Sequence, residues 1–125
     1  MIGPEKRDIE SALAVATTST VYSKSFNLSY GRFFALSYKA TSAGAVNLKI
    51  ELEQCYEPPT TEGSADGDFA VPEGVSEIDA GLTDENQHHI SVSPIPLKYG
   101  RFKVTGLAGN DASTTLELKL STQEE

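Results

Sequence analysis

The chain predicts an all-β fold, an antiparallel β-sandwich or jelly-roll-like barrel of seven or eight strands with two similar hairpin units. Three observations predict it. From Thr20 onward, segments rich in aromatic and branched residues alternate apolar with polar positions, the period of a half-buried strand. Gly, Pro, Ser and Asn clusters punctuate the chain at short intervals and leave no room for a long helix. Third, one pattern occurs twice: Phe26-x-Leu28-x-Tyr30-Gly31-Arg32-Phe33 matches Ile95-x-Leu97-x-Tyr99-Gly100-Arg101-Phe102. The first copy passes a tip at Thr41-Ser42-Ala43-Gly44 and returns through Val46, Leu48, Ile50 and Leu52. The second turns at Gly109-Asn110-Asp111 and returns through Leu116, Leu118 and Leu120. Duplication and convergence both account for the likeness, and either implies two similar β units.

Taken in order, residues 1–19 form an N-terminal arm or a short helix. Ile9, Leu13 and Ala16 have helical spacing, whereas Leu13 and Val15 alternate. Strands follow at Val21–Leu28, Arg32–Tyr38 and Val46–Gln54. Residues 55–68 form a long acidic loop, because Pro58-Pro59, Gly63 and Gly67 deny the chain both helix and ladder hydrogen bonds. Loops of that length are functional or mobile. Phe69–Val71 is a short edge strand. In residues 75–83, Ile78, Ala80 and Leu82 alternate with Glu77, Asp79, Gly81 and Thr83, and Gly81 favours a strand over a helical turn. Ile90 and Val92 precede Pro94-Ile95-Pro96, the pattern of a strand held at a sheet edge. Arg101–Gly106 and Thr114–Ser121 complete the second unit.

At 125 residues the chain makes one domain, 1–125, which buries roughly two-thirds of the surface its unfolded form exposes. It needs no metal or disulfide as a staple. The single cysteine, Cys55, has no internal partner and reads as a buried thiol. The N-terminal residues are charged with both signs, and the apolar stretch from Ala12 to Ala16 is too short for a signal segment or a membrane span. The expectation is a cytoplasmic protein with no membrane partner. Net charge is −8, and no Lys or Arg lies between Lys49 and Lys98. That interval carries eleven acids from Glu51 to Glu85, which would repel phosphates and argues against nucleic acid as a partner. It reads as a solvated face that keeps the chain in solution, the alternative being a patch that meets a cationic partner or a divalent ion.

Side chains alternate across a strand, so Phe33 and Ala35 share one face while Arg32, Phe34, Leu36 and Tyr38 share the other. The second copy sets Phe102 and Val104 on the first face and the polar Arg101, Lys103 and Thr105 on the second, which reads as wet. On that alignment Phe34, Leu36 and Tyr38 need a cover. The cover is either the N-terminal segment around Leu13 and Val15 or a neighbouring subunit, which makes these three the candidate interface residues. Arg32 and Arg101 each follow a tyrosine by two residues, a spacing that allows a cation to stack over a ring.

No catalytic, cofactor-binding or metal-binding residue is assigned. Glu62-Gly63-Ser64-Ala65-Asp66-Gly67 lacks the glycine spacing of a nucleophile elbow. His88 and His89 are adjacent, so in a strand they point to opposite faces and do not share a metal. Asp66-Gly67-Asp68 with Glu62 offers hard oxygens of the kind calcium accepts, but it lacks EF-hand spacing and is also an ordinary turn. Gly106-Leu107-Ala108-Gly109 has neither the spacing nor the following helix of a phosphate loop. With no tryptophan in the chain, sugar stacking would fall to the tyrosines.

The segment from His89 to Leu120 resembles small β-rich virion accessory proteins of tailed phages. The likeness rests on Pro94-x-Pro96, on Tyr99-Gly100-Arg101-Phe102-Lys103-Val104-Thr105-Gly106, on Asn110-Asp111, and on Thr114-Thr115-Leu116-x-Leu118-x-Leu120. The resemblance implies a non-enzymatic structural or assembly protein acting through homo-oligomeric or larger protein–protein contacts, with no cofactor, and ending in the virion. The alternative is a small-ligand or carbohydrate-binding β-sandwich module that uses the 55–68 loop.

Overall fold

The computed structural model describes residues 5–29, 33–57, 69–72, 78–94 and 96–123. Among the described residues, nine antiparallel strands pack as two sheets. They are β1 (Glu5–Ala14), β2 (Thr20–Tyr22), β3 (Phe26–Asn27), β4 (Phe33–Thr41), β5 (Leu48–Cys55), β6 (Asp79–Leu82), β7 (His88–Val92), β8 (Tyr99–Gly106) and β9 (Thr115–Gln123). The first sheet has the order β1-β9-β4-β7 and the second β2-β8-β5-β6, with β3 also paired to β8. β2 and β3 pair with successive stretches of β8 and act as one interrupted strand. Counted that way the molecule is an eight-stranded sandwich whose strand order is that of a jelly roll. The expectation of an all-β sandwich is met.

Strands β4, β5, β8 and β9 each turn one apolar row to the interior. Phe34, Leu36, Tyr38 and Ala40 of β4 interlock across the interior with Leu48, Ile50 and Leu52 of β5 and with Phe102 and Val104 of β8. Leu116, Leu118 and Leu120 of β9 complete the centre and are fully buried. Burial of each such side chain is worth about 1.5–3 kcal/mol. At one end of the sandwich four connections are fastened to one another. Asn110, itself buried, donates from Nδ2 to Val15 O at 2.9 Å, accepts at Oδ1 from Asn47 N at 3.0 Å, and accepts at its carbonyl from Thr17 Oγ1. Ser42 N donates to Glu85 Oε1 at 2.8 Å, which adds the β6–β7 connection. Gly109, at φ 91°, makes the tight turn that this end needs.

Several sequence expectations change. The described part of the N-terminal segment, residues 5–19, is neither helix nor loose arm: β1 spans ten residues and pairs along β9, and Ile9 and Val15 join the core. The two repeat units are not hairpins. β4 lies in the first sheet and β5 in the second, while β8 and β9 are divided the same way, so each unit is an arch that crosses the interior. The ladders run instead between units, β4 with β9 and β5 with β8. The face assignment also inverts. Phe33 is 55% exposed and Phe34, Leu36 and Tyr38 are buried, whereas Phe102 is buried. Thus the two phenylalanines aligned by the repeat face opposite ways, and the sequence alignment is not the structural one. Phe34, Leu36 and Tyr38 are core residues that face the opposite sheet, and they present no exposed patch to a partner. Tyr30, Gly31 and Arg32 lie outside the described residues.

Candidate functional site

The position least expected from sequence is Arg101. It points to the outer face of the second sheet, read above as wet, yet it is only 2% exposed. Its guanidinium is sandwiched between the rings of Tyr22, 3.9 Å away, and Phe69, 4.0 Å away. Its Nε donates to Glu53 Oε1 at 2.9 Å. Register explains the assembly: Arg101 lies opposite Glu53 in the β5–β8 ladder, and Tyr22 sits beside it through the β2–β8 pairing. Phe69 arrives because Ala70 bridges Gln54 with hydrogen bonds of 2.9 and 3.1 Å, laying residues 69–72 alongside β5. A cation desolvated between two rings gains about 2 kcal/mol, and the buried carboxylate balances its charge. The stacking partner expected from sequence, Tyr99, carries Lys98 instead, with Nζ 5.5 Å from the ring centre. Glu53, grouped by sequence with the solvated acids, belongs to this buried pair.

A cleft of about 390 Å³ opens at the end opposite the fastened loops, lined by Tyr56, Pro96, Leu97, Lys98 and Tyr99. Tyr56, directly after β5, is 75% exposed. Cys55 beside it is buried, as read from sequence, with Sγ donating to Glu57 O at 2.7 Å. Phe33 stands at the same end, since β4 begins where β5 finishes. It rims a shallower groove of about 250 Å³ whose floor includes Ala35, Ser91 and Ser121. The rings of Tyr56, Pro96 and Tyr99 wall the cleft, with Lys98 as its one charged side chain. The rest of the 55–68 loop, with Glu62 and Asp66-Gly67-Asp68, lies outside the described residues.

A third cluster joins the two sheets at the β6–β7 corner. Tyr38 Oη donates to Asp79 Oδ2 at 2.9 Å, linking β4 to β6. The His88 ring stacks on Tyr38 with centroids 5.1 Å apart, and its Nε2 lies 2.8 Å from Asp84 Oδ1. Burial, then the bond to Asp79, pushes the Tyr38 phenol well above its ordinary range. The contact with His88, then the backbone N–H of Asn86, lowers Asp84. His89 points to the other face, where Nδ1 meets Ser37 Oγ at 2.6 Å, a contact between residues paired across neighbouring strands. The two histidines therefore divide between faces, as their adjacency in a strand dictates. Among the described residues no three of His, Cys, Asp and Glu converge as a metal-ligand set. None of the described residues forms a helix long and apolar enough to cross a membrane.

Comparison with protein-family models, with curated proteins and with solved structures finds no match to this chain.

Proposed function

We propose that this chain is a non-enzymatic structural protein that works through protein–protein contacts in a larger assembly, of the virion accessory type. The observation that supports the reading is the strand order β1-β9-β4-β7 over β2-β8-β5-β6. That order recurs in viral capsid domains, and the analogy is one of fold. Side chains add to it. The polar groups that sequence left open are spent on rigidity: Arg101 and Glu53 on each other, Asn110 on three connections, Tyr38 on the opposite sheet. A rigid block with a fastened end suits a repeating part. Fractionating a lysate of the native source on a sucrose gradient tests it. The protein is expected in fast-sedimenting particles, and recovery only among small soluble proteins would overturn the reading.

The Tyr56–Tyr99 cleft favours a second reading, a small-ligand or carbohydrate-binding module. Jelly rolls also serve as lectin domains. Because the chain has no tryptophan, its five tyrosines report ligand stacking without interference. Titration with neutral oligosaccharides should quench tyrosine fluorescence saturably if this reading holds, and Tyr56→Ala should remove the effect.

A further inference from the structure

We propose that β7 is a self-association edge, to which a second copy of this chain adds antiparallel across a two-fold axis at Ile90. The inference rests on the assembly reading and names the surface that serves it. A sheet edge is a row of main-chain donors and acceptors that another strand can pair with, and folded proteins blunt such edges with charge, bulges, breaks or short length. Among the described residues the two sheets, with β2 and β3 counted as one strand, have four edges, and three of them are blunted. β1 carries Lys6, Arg7, Asp8 and Glu10 and departs from regular register on both sides of Glu10. Its side chains also occupy the neighbouring edge: Arg7 Nη1 donates to Asn27 O at 3.0 Å, and Glu10 Oε2 accepts from Lys24 N at 2.9 Å. That second edge, β2 with β3, is broken between Tyr22 and Phe26. β6 has only four residues and a register shift, and Asp79 Oδ1 takes the Gly81 N–H at 3.0 Å.

β7, though only five residues long, lacks the charges, breaks and register shifts of the other three. His88–Val92 pairs residue for residue with Phe34–Tyr38 without a shift, and it contains no Lys, Arg, Asp, Glu or Pro. The lack of Lys, Arg, Asp and Glu in the strand matters because a chain of net charge −8 repels its own copies, and two copies approach at least cost where no acids meet. The nearest acid contact, Asp84, is already engaged by His88 at 2.8 Å. Antiparallel pairing about Ile90 is self-complementary: Ile90 meets its own counterpart, His88 meets Val92, and on the outer face His89 meets Ser91. Ile90 is half-buried against the core, so its remaining surface is available for that contact.

The register is testable because His89 and Ser91 are both exposed and their replacement leaves the core intact. Sedimentation velocity of the purified full chain, from low to high micromolar, should show a monomer–dimer equilibrium. H89K/S91K places lysine opposite lysine twice across the seam and should weaken the dimer by about tenfold or more. H89K/S91E places lysine opposite glutamate twice and should restore it. A dimer indifferent to the paired lysines would overturn the β7 interface while leaving the assembly reading intact. Failure of the glutamate variant to outperform the lysine variant would overturn the register, and a wild-type monomer at every concentration would overturn the inference altogether. Loss of the protein from native particles would instead strike the assembly reading, since the gradient experiment does not depend on this edge.

Discussion

Arg101 and Gly106, five residues apart on one strand, show two ways in which a single side chain becomes indispensable. Arg101 is a buried charge held by Glu53 at 2.9 Å and by two rings. Truncating one partner leaves the other buried and uncompensated, at a cost of about 3–5 kcal/mol. Arg101→Ala should therefore destabilise the fold by that amount in urea unfolding. Arg101→Met with Glu53→Leu should cost much less than the single change, because an apolar pair needs no compensation. Gly106 acts through what it lacks. A Cβ there would collide with the Ala16 carbonyl oxygen, a backbone atom that also accepts from Ser19 Oγ, so the turn itself would have to shift. Gly106→Ala is expected to cost about 1–3 kcal/mol, read as a lowered melting temperature. At this scale the sequence marks Arg101 by repetition and polarity, but its burial depends on Phe69 and Tyr22, which reach it from other segments.

At the scale of elements, the strands were legible and their neighbours were not. Leu48, Ile50 and Leu52 alternate in the same way whether β5 folds back beside β4 or crosses the interior to face it. Periodicity reports which residues lie inside, and it is silent about which strand is hydrogen-bonded to which. For the same reason the repeat misassigned β4: shifting an alignment by one residue exchanges the two faces, so Phe33 took the inward place that Phe34 occupies. Cross-linking distinguishes the two pairings. Ser37 and Lys119 are directly opposed across β4 and β9 on the outer face, within reach of a disulfide. The double variant Ser37→Cys/Lys119→Cys should oxidise to an internal disulfide without loss of the fold. A chain built from two simple hairpins would hold those positions in separate units and leave both thiols free.

For the molecule as a whole, the sheets are joined by their core and by polar links at the corners, and Tyr38 to Asp79 is the link that titrates. A phenol whose folded pKa is raised above the ordinary value of 10.0 contributes stability that is complete below that pH and is lost as pH rises beyond it. Melting temperature should therefore fall above pH 10, and Tyr38→Phe should flatten that decline at a cost of about 1 kcal/mol near neutrality. On the acid side the sign reverses. Asp84 and Asp111 are lowered by hydrogen bonds, from His88 and from Ser113, so their contribution holds above the ordinary carboxylate range and disappears as pH falls through it. Asp84→Asn should shift the acid limb of the stability profile and, because the Asp84 charge also helps to raise the Tyr38 phenol, should soften the alkaline decline slightly.

The amino-acid sequence alone determined that the chain is all β, placed most of its strands, marked the His88–Val92 region as an edge and put Cys55 inside. Those properties follow from alternation, from turn residues and from proline, all of which act over a few neighbouring positions. Only the tertiary structure decided that each repeat unit arches between sheets, that β1 completes the first sheet, and that Arg101 is buried. Each of these depends on contacts between residues far apart in the chain, whose free energy becomes available only when the two sheets close on each other.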